Sequence, residues 1–351
     1  MATAPAPEDP LHVDAAALQR YLRECGVLAP RETIDEVKRY GGGYSNLTYR
    51  LTLPTRTLVL RRPPPGPHAA RAHDVAREYR VLRSVHPVFA KAPAAHLLAD
   101  GDSSPLGTPF YVMEHRAGPI LRASAFVSAP PPAPKAMARA SRLLAQTLAE
   151  LHAVPLTPEL LGLGRAEGYV ERQVEGWIGR FAKARTEDVA AAPDVVEYLL
   201  RERPADGAAA LLHGDFKFDN VVFADDQLAR VEAVLDWEMS TIGDARMDLG
   251  LTLAYWAHAE DVAEMPFLAM NLTHLPGALR RTEVVEVYGA GGQDVLYYYV
   301  FGNLKVAGIA QQIYARYRAG HTRDRRFAGL GAVATYMLQR ARRAIESGRI
   351  E

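Results

Sequence analysis

Residues 211–220 read LLHGDFKFDN, and they set the strongest limit on what this chain can fold into. Two leucines lead into a stretch crowded with His213, Asp215, Lys217, Asp219 and Asn220. Two short strand-like runs follow, VVFA and VEAVLDWE, with Asp236 near the end of the second. A fold that accepts this order holds two strands around a loop and can bring Asp215, Asn220 and Asp236 together. A carboxylate, an amide oxygen and a second carboxylate are hard donors of the kind Mg²⁺ takes. So sparse a set expects phosphate oxygens to complete the shell, and it leaves Asp215 to accept a proton from a hydroxyl nucleophile. Singly, Asp215 and Asn220 read as well as turn residues, and Asp236 as a strand-end cap. Together they point to chemistry.

The rest of the chain divides by periodicity. Residues 1–12 are rich in Ala and Pro and are expected to be disordered. Asp14 can cap a helix with Leu18, Tyr21 and Leu22 on one face, ending near Gly26. From Ile34 the pattern changes. YGGGYSNLTYRLTL is a glycine cluster entering a strand in which Leu47, Tyr49, Leu51 and Leu53 alternate, and RTLVLRR is a second strand beyond a short PTR turn. AHDVAREYRVLRSV has Val75, Tyr79 and Leu82 at helical spacing, and TPFYVMEHRAG is a strand running into a Gly-Pro break at 118–119. Helical patterns then fill about 135–154, 194–202, 246–259, 292–318 and 326–347. The expected fold class is α+β: a small β-rich part over 13–115 and a larger, mostly helical part over 116–351. A ligand site is expected between them.

Composition removes several classes. With 41 basic and 41 acidic residues the formal net charge is zero, which argues against a general nucleic-acid or membrane-surface binder. The lone cysteine, Cys25, allows no disulfide framework and no cysteine zinc site. The start has no secretory pattern, and no apolar run approaches the ~20 residues of a membrane span. A reducing cytoplasm is the expected compartment.

HGDFKFDN followed by VLDWE resembles the catalytic core of the aminoglycoside phosphotransferase and choline kinase group, within the protein-kinase-like fold. The resemblance runs from about Ile34 to the final helix. GGGYSNLTYRL, VLDWEMSTIGDARMDLG and YYYVFGNLKVAGIAQQIYARYRAG are similar, more narrowly, to phosphotransferase domains associated with acyl-CoA dehydrogenases. That likeness implies ATP and Mg²⁺ as cofactors, a two-lobe architecture, and a small hydroxylated acyl substrate. It implies Asp215 as catalytic base and Asn220 and Asp236 as metal ligands. Lys217 stands where many kinases steady the transferred phosphoryl group; its other reading is a solvated lysine. Glu238 is either a third metal contact or the partner of a basic side chain. The glycine cluster, with Gly42, Gly43, Ser45 and Asn46, fits a phosphate-covering loop. Arg61 takes the place of the usual phosphate-binding lysine, a departure, and is expected to pair with Glu78; Arg62 takes the role if the register slips by one. Met113, Glu114, His115 and Arg116 match the segment whose backbone meets adenine. In the same likeness Asp248 braces the loop through backbone N–H groups. Asp244 reads as a cap, His213 as a buried hydrogen-bonding residue, and His152 as a packing residue.

Position 214 is glycine, where phosphorylation-activated protein kinases carry an arginine, and only 11 residues separate Asp236 from Asp248. Both features favour a small-molecule acceptor, with 155–205 as a helical cap. The last 31 residues hold seven arginines and three acids, which disfavours a polycationic aminoglycoside if they border the pocket. Tyr255, Trp256 and Tyr297–Tyr299 are either pocket lining or ordinary helix core. The alternatives to a hydroxyacyl kinase are an aminoglycoside or amino-alcohol kinase, and a nucleotide-binding scaffold without turnover, for which Arg61 is the argument.

Overall fold

The computed structural model describes residues 13–41, 46–64, 69–101, 104–127, 129–322 and 324–350. The stretch 1–12, together with Gly42, Gly43 and Ser45, lies outside them. The chain forms two compact units: the first runs to Ala117 and includes Asp236–Glu238, and the second comprises Gly118–Leu235 and Met239–Glu351.

In the first unit, helix α1 (Ala15–Glu24) starts at Asp14, whose Oδ1 accepts the N–H groups of Ala16 and Ala17. Strands β1 (Glu36–Arg39), β2 (Leu47–Thr52) and β3 (Thr57–Arg62) precede helix α2 (Ala69–Val85), and strands β4 (Ala95–Ala99) and β5 (Phe110–Glu114) follow it. All pair antiparallel in the order β1-β2-β3-β5-β4. The period of two sorts the side chains. Tyr49, Leu51, Leu58, Leu60, Phe110 and Val112 pack with Leu18 and Leu22 of α1 in one apolar cluster. The register then places Arg50, Val59 and Met113 in one row and Arg61 beside Tyr111 in the next, on the other face. The hairpin and both helices were expected; β1 and β4 were not.

The second unit begins with helices α3 (Pro134–His152), α4 (Pro158–Leu161), α5 (Tyr169–Ala184) and α6 (Pro193–Arg201). Four short strands follow: β6 (Ala209–Leu212), β7 (Val221–Phe223), β8 (Val231–Val234) and β9 (Thr241–Asp244). Helices α7 (Ala245–Tyr255), α8 (Ala259–Glu264), α9 (Arg281–Tyr288), α10 (Gly292–Arg318) and α11 (Leu330–Ser347) complete it. β6 pairs antiparallel with β9, and β7 with β8. Helices α7 and α10 approach backbone to backbone: a Cβ on Gly250 would lie 2.2 Å from the Tyr298 carbonyl oxygen, and one on Gly302 would lie 2.3 Å from that of Gly250.

Two expected helices need correction. The pattern over 246–259 breaks after Tyr255 and resumes as α8, which starts with the His258 N–H donating to the Asp261 carboxylate. The last helix starts at Leu330, after a 3₁₀ turn over Arg325–Gly329. Among the described residues no helix is long and apolar enough to cross a membrane.

Candidate active site

The loop between β6 and β7 is held at both ends. Leu211 pairs with Ile242 and Leu212 with Thr241, while the Ser240 hydroxyl donates to the Leu212 carbonyl. Within the loop the side chains alternate. Phe216 and Phe218 are buried, which leaves Asp215, Lys217 and Asp219 partly exposed between them. The anchors are thus these phenylalanines as much as the two leucines before them.

Asp248, at the start of α7, braces the loop. Its carboxylate accepts the N–H of His213 at 2.7 Å and that of Gly214 at 3.0 Å. His152 Nε2 lies 3.3 Å from the same carboxylate, and its Nδ1 lies 2.7 Å from the Tyr288 hydroxyl. His152, read from sequence as packing, is therefore a bridge from α9 to Asp248. Burial works to raise the Asp248 carboxyl, but His152 and the His213 N–H hold it below its ordinary value. Asp244 caps α7 by accepting the Arg246 N–H, and also takes the Gly207 N–H. His213 is fully buried, with Nε2 2.9 Å from the Leu235 carbonyl oxygen.

Gly214 has φ +82°, and a Cβ there would lie 2.8 Å from the Met239 carbonyl oxygen. The absence of an arginine at this position is thus a steric requirement of the turn.

Among the described residues three side chains meet the Asp215 carboxylate. Lys217 Nζ lies 2.6 Å from Oδ2, and Asn220 Nδ2 donates to Oδ2 at 3.1 Å and to the Asp215 carbonyl at 2.9 Å. The third is the phenol of Tyr255. Burial first, then the Asp215 charge and a hydrogen bond to it, push that phenol well above its ordinary range, so it stays a donor. Lys217 Nζ also sits 4.7 Å from the centre of the Tyr255 ring, so it is no free surface lysine. Lys217, Asp219, Thr252, Tyr255, Trp256 and Thr273 border a recess. Burial pushes the Asp219 carboxyl up, against the pull of Lys217 and Arg122. Tyr297–Tyr299 belong to the core, with the Tyr297 hydroxyl donating to Leu199 and that of Tyr298 to Asp244.

In the first unit Arg61 is the centre of charge. It donates to Glu78 at 2.6 Å and to Asp236 Oδ1 at 3.3 and 3.4 Å, with Glu238 at 3.9 Å. Burial disfavours its charge, but the surrounding carboxylates more than offset this and hold the guanidinium well above its ordinary range. The expected pair with Glu78 is present. Asp236, expected as a metal ligand, here accepts from Arg61, and Glu238 lies by that guanidinium while its carbonyl accepts from Arg77. Asp236 has φ +67°, a left-handed conformation that a non-glycine residue holds only where its surroundings impose it. Arg62 instead donates to the Tyr49 hydroxyl.

Asn46 is buried, and its Nδ2 finds no partner among the described residues. A buried donor without a partner among the described residues suits a ligand's anionic oxygen. At the end of β5 the Glu114 N–H is already committed to the Ala94 carbonyl, and its side chain pairs with Arg116. Of the residues expected to meet adenine through the backbone, Glu114 therefore cannot donate. Met113 is buried in the sheet; His115 follows the last ladder residue, with its imidazole held below the ordinary range by burial and by Arg50. Leu58, His96, Glu114 and His115 border a recess at this end of the strand.

Among the described residues no group of three or more His, Cys, Asp or Glu is placed to hold a metal. Asn220 turns its nitrogen to Asp215, which leaves its amide oxygen as a hard donor of the kind Mg²⁺ accepts.

The basic C-terminal segment reads differently in three dimensions. Arg326 pairs with Asp324, Arg340 with Asn303 and Asp261, Arg342 with Asp194, and Arg343 with Glu264. These four arginines are paired within the chain, so the segment's composition gives no argument about the acceptor.

Comparison with known proteins adds the following. The model of the phosphotransferase enzyme family, APH, matches residues 36–282. Human acyl-CoA dehydrogenase family member 11 is 33% identical over 320 residues, covering 88% of this chain and 40% of that protein. The chain thus spans about 40% of the length of such relatives. A solved structure from Ralstonia eutropha, provisionally described as an aminoglycoside phosphotransferase, superposes with a TM-score of 0.72 at 24% identity, covering 95% of this chain and 99% of that one. A thermostable mutant of aminoglycoside phosphotransferase APH(4)-Ia, in a ternary complex with AMP-PNP and hygromycin B, gives 0.58 at 16% identity, covering 93% and 98%.

Proposed function

The chain belongs to the phosphotransferase enzyme family, and from that premise we propose that it transfers the γ-phosphoryl group of ATP, with Mg²⁺, to a hydroxyl of a small molecule. The observation that carries this reading is the Asp215 carboxylate, held by Lys217, Asn220 and Tyr255 on a loop that Asp248 fixes through two backbone N–H groups. Asp215 orients the acceptor hydroxyl and takes its proton as the new bond forms, a role worth about 10²–10⁴ in rate. Lys217 holds that carboxylate before reaction and offsets charge on the transferred oxygens during it. Arg61, aimed by Glu78, and Asn46 bind the nucleotide phosphates, with Gly42, Gly43 and Ser45 covering them. Bound through Asn220 and Asp236, Mg²⁺ supplies neutralisation of phosphate charge. Binding and positioning by these residues account for most of the rate.

The acceptor we favour is a hydroxylated acyl compound. The names of the curated relatives support it. A functional link to an acyl-CoA dehydrogenase and a cytoplasmic setting go with this reading. The test is transfer of ³²P from labelled ATP across hydroxy acids, hydroxyacyl-CoAs, amino alcohols and aminoglycosides. Label on the hydroxyacyl compounds is the expected result; label on the amines alone overturns the acyl assignment.

One observation favours a second reading, a nucleotide-binding scaffold: Arg61 and Asp236 neutralise each other. A scaffold binds ATP yet gives no Mg²⁺-dependent turnover with any acceptor, and Arg61→Lys does not create it.

A further inference from the structure

Lys305, on α10, is a buried amine that the chemistry above leaves unused. Its Nζ donates to the Gly214 carbonyl at 3.3 Å, across 91 positions of sequence. It also lies 5.6 Å from the centre of the Trp177 ring, on which the Arg180 guanidinium sits at 4.9 Å. Burial pushes the Lys305 amine down; Asp248 and Asp215 act against that shift, and Arg180 and Lys217 act with it. Burying an ammonium is costly unless it is well paired, and here it meets a carbonyl and an aromatic face.

The geometry at its tip gives the lysine a purpose. The Gly214 carbonyl and the Asp215 N–H belong to one peptide plane. The N–H points to His213 Nδ1 at 3.3 Å, and the carbonyl takes Lys305. The preceding N–H, that of Gly214, is on Asp248. The plane that carries Asp215 is therefore held on both edges, once from within the loop and once from α10.

We propose that Lys305 is a positioning residue for Asp215: by gripping the Gly214 carbonyl it fixes the peptide from which the Asp215 side chain projects. This rests on the reading of Asp215 as the base. It separates the loop's supports into two, Asp248 for the N–H groups and Lys305 for the carbonyl.

The experiment replaces Lys305 by the isosteric, uncharged Lys305→Met in the full chain. Mg²⁺-dependent ATP turnover should fall by about 10²-fold in kcat with KM for ATP unchanged, since misplacing a reacting group costs that order. Tm should stay level or rise, because a desolvated charge has been removed. Retained kcat, or a loss of kcat that only tracks a lowered Tm, overturns the proposal. Hydrogen exchange gives an arm independent of turnover. Amides of 213–216 should exchange about tenfold faster in Lys305→Met while those of 247–253 keep their protection. A wild-type chain without turnover would defeat the kinase reading and leave this arm standing; unchanged exchange at 213–216 would defeat the role of Lys305.

Discussion

Lys217 Nζ lies 2.6 Å from the Asp215 carboxylate and 4.7 Å from the centre of the Tyr255 ring, so the cation and the carboxylate of the loop are one unit. Two residues apart in the loop, both stay partly exposed while Phe216 and Phe218 are buried. Lys217→Met removes the cation and leaves its stem. It should lower kcat by about 10²–10³-fold with little change in KM for ATP, since the charge acts on the transferred group. Steady-state kinetics of ATP turnover checks this.

Tyr255→Phe isolates the third contact to Asp215. The ring stays to pack and only the phenolic donor is lost. A hydrogen bond to a charged group is worth about 1.5–3 kcal/mol, so a ten- to hundredfold fall in kcat is expected. Circular dichroism and Tm should stay near wild type.

Gly214→Ala tests the turn. A φ of +82° and a Cβ only 2.8 Å from the Met239 carbonyl oxygen leave no relaxed solution. Urea unfolding should show a loss of about 1–3 kcal/mol, and turnover should fall with it.

How far the sequence reveals all this depends on the range of the interaction. The order of Asp215, Lys217 and Asn220 is legible because one short loop holds all three. The Arg61–Glu78 pair follows from a strand and the next helix. The edge strands are not legible: β1 is EVKR, with Val37 its one apolar residue, and β4 is bulged against β5 between Ala95 and Leu97. Nor does local periodicity carry the His152–Asp248 contact, 96 positions apart, or the pairing of Arg342 with Asp194 across 148. The sequence offers Tyr255 as pocket lining or helix core, but its phenol as a donor to Asp215, 40 positions away, is not legible for the same reason. The polar tip of Tyr255 is the one signal in the sequence for that contact.

Asp248→Asn separates support from chemistry and carries a pH signature. In the folded chain Asp248 is held below its ordinary value of 3.8. A depressed carboxyl contributes stability that is fully present above that value and is lost as pH falls through its folded value. The wild type should therefore lose stability below about pH 4 more steeply than Asp248→Asn, which lacks this titration. At neutral pH the variant should be weaker by about 2–3 kcal/mol and slower in turnover, with ATP affinity retained. Chemical denaturation from pH 3 to pH 7 reads both effects.

The most direct measurement is ³²P transfer to a hydroxyl acceptor by wild type and Asp215→Asn, with nucleotide affinity measured on both by calorimetry. The expected result is a loss of about 10²–10⁴-fold in transfer with ATP affinity unchanged, as removal of a general base requires. Transfer by Asp215→Asn at the wild-type rate would contradict the assignment of Asp215 and the account built on it.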